Sequence, residues 1–333
     1  MSARKDTDYL SVSSRVRAME TRLLTRERLE RMIDAADDAQ ALKVLAECGC
    51  GEISDPSPDA LEAALRAHLA RTEGELASIL PDRTLPDFFG LETDYHNLKV
   101  LLKAARAGRP AEPLLLPGGR YAPDRLAADR EKGLTGGEYA LAFRDAAARA
   151  SAVLEGTGDA RQADLILDEA WAGELTALAA SSGVPLLRDL AALWIDTANL
   201  RTLVRCARLD RDAAFLAAAL LPGGSVSREE LARMGCADGI ARFRSGPLAA
   251  AAEQAAALAR PDGPPLTAFE RACDDAKMEY LSRCRRVPFG PEVVIGYLFA
   301  LRAGQTAARV VMAGRRAGLE PDVIRQRLRA CYV

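Results

Sequence analysis

The sequence predicts an all-α protein, and three observations carry that prediction. Apolar residues recur at helical spacing along most of the chain, alternating strand-like runs bounded by turns are hard to find, and one basic, leucine-lined helix is written three times. At 333 residues, with 49% hydrophobic and 28% charged residues, the chain can bury a substantial core.

The elements follow in order. "TRLLTRERLERM" from Thr21 reads as a Leu-Leu turn that leads into a helix, and the breaker "SDPSPD" precedes the amphipathic run "DALEAALRAHLARTEGELASIL". Next comes "DYHNLKVLLKAARAG", Asp94 to Gly108, where Leu98, Leu101, Leu102 and Ala105 keep the i, i+3, i+4, i+7 rule and Gly108 with Pro110 forms a stop. "LLLPGGRYAPDRLA" from Leu114 is a turn and a helix start. The basic helix returns as "DTANLRTLVRCARLD", Asp196 to Asp210, with Leu200, Leu203, Val204 and Ala207 on its stripe, and the turn returns as "ALLPGGSVSREELA" from Ala219. After the breaker "RPDGPP" and the helical "TAFERACDDAKMEYLSRCRR", a weaker third copy, "AARVVMAGRRAG", begins at Ala307.

Asn97 and Asn199 are 102 residues apart, and Asn97 and Ala307 are 210 apart, so the period is a little over one hundred residues. Leu23, Leu24 and Leu29 fall near Leu115, Leu116 and Leu126. This divides the chain into three repeat units, 9–109, 110–213 and 214–333, each opening on a Leu-Leu turn and closing on the basic helix. Ordinary helical solenoids repeat every 30 to 50 residues or so, which sets this pattern apart from a generic helical-repeat adaptor.

At about 100° per residue, Lys99, Lys103 and Arg106 share one flank of their helix. Arg201, Arg205 and Arg208 repeat that stripe, and the third copy has Arg309, Arg315 and Arg316, with Ala313 at the middle position. For one helix this is a solvated face favoured by the C-terminal dipole; three copies suggest a basic lining around a common axis. The pairs Asp94/Asn97 and Asp196/Asn199 read as N-caps at the helix head, with a buried polar link as the alternative. Gly304 and Ala307 stand at those positions in the third copy. Leu209 and Asp210 replace Ala107 and Gly108, which suggests a different helix exit in unit two.

A formal net charge of -2 gives no overall attraction to nucleic acid. No run approaches the roughly 18 apolar residues of a membrane span, and "MSARKDTDYLSVSSRVRAME" lacks the apolar core of a secretory signal, so the expected location is cytoplasmic. Seven scattered cysteines suit a reducing compartment. Cys48 and Cys50, with His68 and His96 the only histidines, make no visible metal cluster. Asp274, Asp275 and Glu279 in "CDDAKME" share a helical face of the kind that holds magnesium in isoprenoid-type enzymes. No second aspartate-rich partner accompanies them, and Lys277 and Arg283 explain a mixed-charge surface. Nucleotide-binding glycine loops and hydrolase elbows are absent, so no cofactor, metal or small-molecule substrate is expected.

The opening "DYLSVSSRVRAMETRLLTRERLERMI", the "DYHNLKVLLKA" helix and the closing "ARVVMAGRRAGLEPDVIRQRLRACYV" resemble the C subunit of the prokaryotic V-type (A-type) rotary ATPases, the counterpart of the d subunit of the eukaryotic vacuolar ATPase. The resemblance covers essentially the whole chain. It implies a non-catalytic protein of three similar helical domains in a pseudo-threefold funnel, lying between the central shaft subunits and the membrane proteolipid rotor ring. Family members tend to have an asparagine where Ala307 stands, whereas Arg309 keeps the family's arginine.

Overall fold

The structure, a computed structural model, describes residues 5–136, 138–260 and 263–333. The breaker "RPDGPP" and the extreme N-terminus therefore lie partly outside the described residues. The helices are α1 (Leu10–Glu20), α2 (Arg26–Ile33), α3 (Asp38–Leu45), α4 (Pro58–Ile79), α5 (Thr84–Ala107), α6 (Pro123–Arg130), α7 (Leu141–Gly156) and α8 (Ala160–Ser181). They continue as α9 (Pro185–Arg208), α10 (Ala213–Ala219), α11 (Arg228–Arg242), α12 (Ala249–Leu258), α13 (Thr267–Ser282), α14 (Pro291–Arg316) and α15 (Pro321–Arg327). No strand occurs among the described residues, so the protein is all-α.

Helix starts follow local chemistry. Thr25, Asp37, Ser57, Asp159, Asp212 and Ser227 each accept a hydrogen bond from a first-turn backbone N–H. In "SDPSPD", Ser57 caps α4 and Pro58 takes the first helical position, where its missing N–H costs nothing. The longest helices, α5, α9 and α14, have a proline in the first turn: Pro86, Pro185 and Pro291.

The chain forms two compact units. One takes in the chain up to Arg83 with Ser245–Gln254 and Pro264–Val333; the other takes in Thr84–Arg244 and Ala255–Gly263. In the first, α14 lies against α1, α2, α3 and α4, so the last long helix is sheathed by the first four. Its core joins Leu29, Met32, Leu42, Leu45 and Leu65 to Ala308, Val311 and Met312. Gly314 permits this at the far end, because a Cβ there would meet Ile324 of α15 at 2.7 Å. In the second unit α5 packs on α7 and α8, and α9 on α8, α10 and α11. Trp194 of α9 sits against Phe88 and Phe89 of α5, with ring centroids 5.2 and 6.0 Å apart.

Candidate functional site

The Asp-x-x-Asn pair does not cap a helix. α5 begins at Thr84 and α9 at Pro185, so Asp94, Asn97, Asp196 and Asn199 lie in mid-helix, and all four are buried. Each pair grips the Leu-Pro-Gly-Gly turn that follows its helix. The Asn97 amide donates to the Leu116 carbonyl and accepts from the Leu116 N–H, both at 2.8 Å. Asn199 treats Leu221 the same way, at 3.0 and 2.8 Å. One side chain thus satisfies both backbone groups of a loop residue, half-buried Leu116 in one copy and buried Leu221 in the other.

The aspartates take the end of the same turn. Asp94 Oδ1 accepts from the Tyr121 N–H at 3.3 Å, and Asp196 Oδ1 from the Ser225 N–H at 2.9 Å. The two glycines have separate jobs. Gly118 and Gly223 have φ of 89° and 96°, a region that disfavours a side chain. At Gly119 and Gly224 a Cβ would stand 2.3 Å from the carboxylate of Asp94 or Asp196. The buried polar link, not the cap, is therefore what the repeated pair makes, and its partner is a turn.

Around Asp94 the clasp is charged. The Arg120 Nε donates to Asp94 Oδ2 at 2.6 Å, its Nη1 donates to Glu174 Oε1 at 2.9 Å, and the Tyr95 hydroxyl donates to Glu174 Oε2 at 2.8 Å. The guanidinium lies 5.0 Å over the Tyr121 ring. Burial pushes the Asp94 carboxyl up to about 6 against the pull of Arg120. Burial also raises Asp196, where the Ser225 hydroxyl and backbone N–H groups oppose it and no cation does.

The third copy omits the pair because its turn is held from elsewhere. Gly304 lets Leu24 approach, with a Cβ position 3.3 Å from the Leu24 Cβ, and Arg28 of α2 donates to the carbonyls of Thr21 and Leu23. Gln305, also buried, donates to the Leu65 carbonyl at 2.8 Å. At the other end all three copies agree. Gly108, Asp210 and Gly318 have φ of 61°, 47° and 64°. The next residue, Arg109, Arg211 or Leu319, sends its N–H back to Ala104, Cys206 or Gly314 at 3.0 Å in each case. This is the Schellman geometry. The different exit expected from Leu209 and Asp210 is not found, since aspartate is among the residues that tolerate the left-handed region.

Four cations of the first and third basic stripes meet acidic partners within the fold. Lys99 bonds Asp168 at 2.5 Å and Lys103 bonds Asp164 at 2.7 Å, lacing α5 to α8. Arg309 bonds Glu62 at 2.7 Å and Arg302 bonds Glu73 at 2.5 Å, lacing α14 to α4. Arg315 pairs with Asp38 at 3.0 Å and donates to the Ile33 carbonyl, Arg316 donates to the Pro56 carbonyl, and Arg208 donates to the Gly263 carbonyl. Arg201 and Arg205 also have partners in the fold. Lys103, Arg106 and Arg205 remain exposed. Sequence reasoning missed the acidic halves; on α8 the i, i+4 pair Asp164/Asp168 was a readable signal.

The aspartates of "CDDAKME" secure the C-terminal segment. Asp274 bonds Arg329 at 3.2 Å and lies 3.5 Å from Lys277, while Asp275 accepts from the Ala330 N–H. Cys50 Sγ lies 3.4 Å from His68 Nδ1, and burial lifts the Cys50 thiol to about 12. No helix among the described residues is long and apolar enough to cross a membrane.

Comparison with known proteins gives a consistent set of relatives. The family described as "ATP synthase (C/AC39) subunit" matches residues 12–327. The C subunit of the A-type ATP synthase of Thermococcus kodakarensis is 26% identical over 341 residues, which cover 97% of this chain and 90% of that protein. The C subunit of the V-type ATP synthase of Thermus thermophilus is 30% identical over 243 residues, 68% of this chain and 71% of the relative. The C subunit of the V-type sodium ATPase of Enterococcus hirae is 22% identical over 331 residues, 98% and 99% of the two chains.

Proposed function

The chain belongs to the ATP synthase (C/AC39) subunit family, a structural rather than catalytic part of a rotary complex, and from that premise we propose that it is a central-stalk socket. It couples the rotating shaft to the membrane proteolipid ring during ATP-linked proton or sodium transport, at the cytoplasmic face of the membrane. The three repeat units, 9–109, 110–213 and 214–333, form its pseudo-threefold funnel.

The observation that carries this reading is the repeated basic helix with one exit geometry in all three copies, within a family match over 12–327. A socket made of similar units offers a shaft several weak contacts at once, which resists slip without a covalent link. The ion pairs between α5 and α8 and between α14 and α4 stiffen two of the walls. Shaft contacts then fall to the most exposed cations of the stripes, Lys103, Arg106 and Arg205, of which Lys103 and Arg205 also have partners within the fold, with Lys99, Arg201, Arg208, Arg309, Arg315 and Arg316 holding the stripes in register.

Purification of a tagged chain from native membranes in mild detergent is expected to recover shaft subunits and a ring proteolipid. Recovery of the chain alone, with the complex intact elsewhere, overturns the reading. Reversal of Lys103, Arg106 and Arg205 to glutamate is expected to weaken shaft recovery in a salt-dependent way.

A further inference from the structure

One exposed basic cluster lies away from the stripes. "RCRRVPFG", Arg283 to Gly290, holds three arginines, and no acidic residue falls between Glu279 and Glu292. It joins α13 to α14, with a 3-10 turn over Arg283–Arg286. Cys284 points inward and is fully buried, whereas Arg283, Arg285, Arg286, Pro288 and Phe289 are exposed.

The loop is fastened from behind. The Arg17 guanidinium of α1, oriented by Glu20 at 2.7 Å, donates through Nη2 to the carbonyls of Cys284 and Arg285 at 3.4 Å and to that of Val287. The Gly290 N–H donates to the buried Ser13 hydroxyl at 3.1 Å. A Cβ on Gly296 of α14 would stand 2.8 Å from the Cβ of Cys284, so the turn rests directly on the helix backbone. With the carbonyls drawn inward, the charged side chains are directed out. Arg283 lies over the Tyr280 ring, and the side chains of Arg285 and Arg286 have no ion-pair partner among the described residues. The acidic groups nearby are few: Glu20 is held by Arg17, and Glu292 and Asp6 lie beside Gly290.

We propose that the Arg283–Gly290 loop is a contact site for anionic lipid headgroups. Guanidinium forks match phosphate oxygens in a bidentate way, and Phe289 with Pro288 supplies the apolar, partly aromatic element that settles at headgroup depth. A fixed turn loses little conformational entropy on docking to a flat surface. Three basic residues give reversible attachment only, which suits a part of a turning rotor better than a permanent anchor. The inference deepens the proposed function, since it supposes that the chain works beside a membrane, but its test is separate.

The test uses the purified full-length chain with vesicles of phosphatidylglycerol and phosphatidylcholine, against pure phosphatidylcholine. Binding is expected to the anionic vesicles alone, and to fall as salt rises from about 0.1 M to about 1 M and the Debye length shrinks from about 10 to about 3 Å. Changing Arg285→Gln with Arg286→Gln is expected to weaken it about thirtyfold. Phe289→Ser is expected to weaken binding with the salt dependence kept. Helical circular dichroism equal to the parent's shows that the variants fold. Equal binding to neutral and anionic vesicles, or no effect of the arginine changes, overturns the proposal. So does loss of shaft or ring subunits in the pull-down with vesicle binding unchanged, an outcome that assigns the loop to an acidic protein face. Failure of vesicle binding with full recovery of the complex removes the lipid site and leaves the socket reading standing.

Discussion

The turn at Leu114–Tyr121 and the turn at Ala219–Val226 are bound to their helices by the same three devices: an asparagine that bridges a leucine backbone, an aspartate that accepts the N–H groups beyond the glycines, and a second glycine that admits the carboxylate. Of the positions where they differ, one puts a different side chain on the aspartate. Arg120 places a guanidinium between two carboxylates where Ser225 offers a hydroxyl. The backbone design is thus independent of charge, and one copy carries charge on top of it.

The largest test of that difference is Arg120→Ala. It leaves Asp94 buried with no cation, and a loss of about 3–5 kcal/mol is expected at neutral pH, read as a fall in denaturant midpoint. Ser225→Ala is expected to cost about 1 kcal/mol. The arginine effect depends on pH. The folded Asp94 carboxyl titrates at about 6, above the 3.8 of an ordinary aspartate, so its contribution is whole below about pH 4 and is lost as pH rises through about 6. Without Arg120 that titration moves higher still. The deficit of Arg120→Ala should therefore shrink between pH 7.5 and pH 5, while that of Ser225→Ala changes less. Equal deficits at both pH values would sink the charged account.

Next in size are the shared devices. Gly119→Ala and Gly224→Ala each bring a methyl 2.3 Å from a carboxylate oxygen, and about 1–3 kcal/mol is expected in both copies. A clear inequality would show that the two turns are not fastened alike. The smallest effect belongs to the lacing pairs. Lys103→Gln, at a surface pair with Asp164, is expected to cost under about 1 kcal/mol, and less at high salt.

How much of this was readable varies by element. The helical stripes, the repeat and the Pro-Gly-Gly turn were, because each is local. The role of Asp94 and Asn97 was not, since an i, i+3 polar pair looks the same at a helix head and in mid-helix, and the ten residues before Asp94 include Pro86 and Gly90, which mask the continuing helix. Partners were the least legible. Lys99 and Asp168 stand 69 residues apart and Arg309 and Glu62 stand 247 apart, so only the fold shows that these cations meet the chain's own acids.

The sheathing of α14 by α1 to α4 also sets an order of events in synthesis. The unit that contains Thr84–Arg244 is made almost without interruption and has most of its helices once Arg244 has been added. The other has its first helices made earliest and its central one nearly last, so Leu29, Leu42 and Leu65 have no partners in Ala308, Val311 and Met312 until the end of translation. The N-terminal segment is thus the part most in need of protection on the ribosome, although it is the oldest part of the chain.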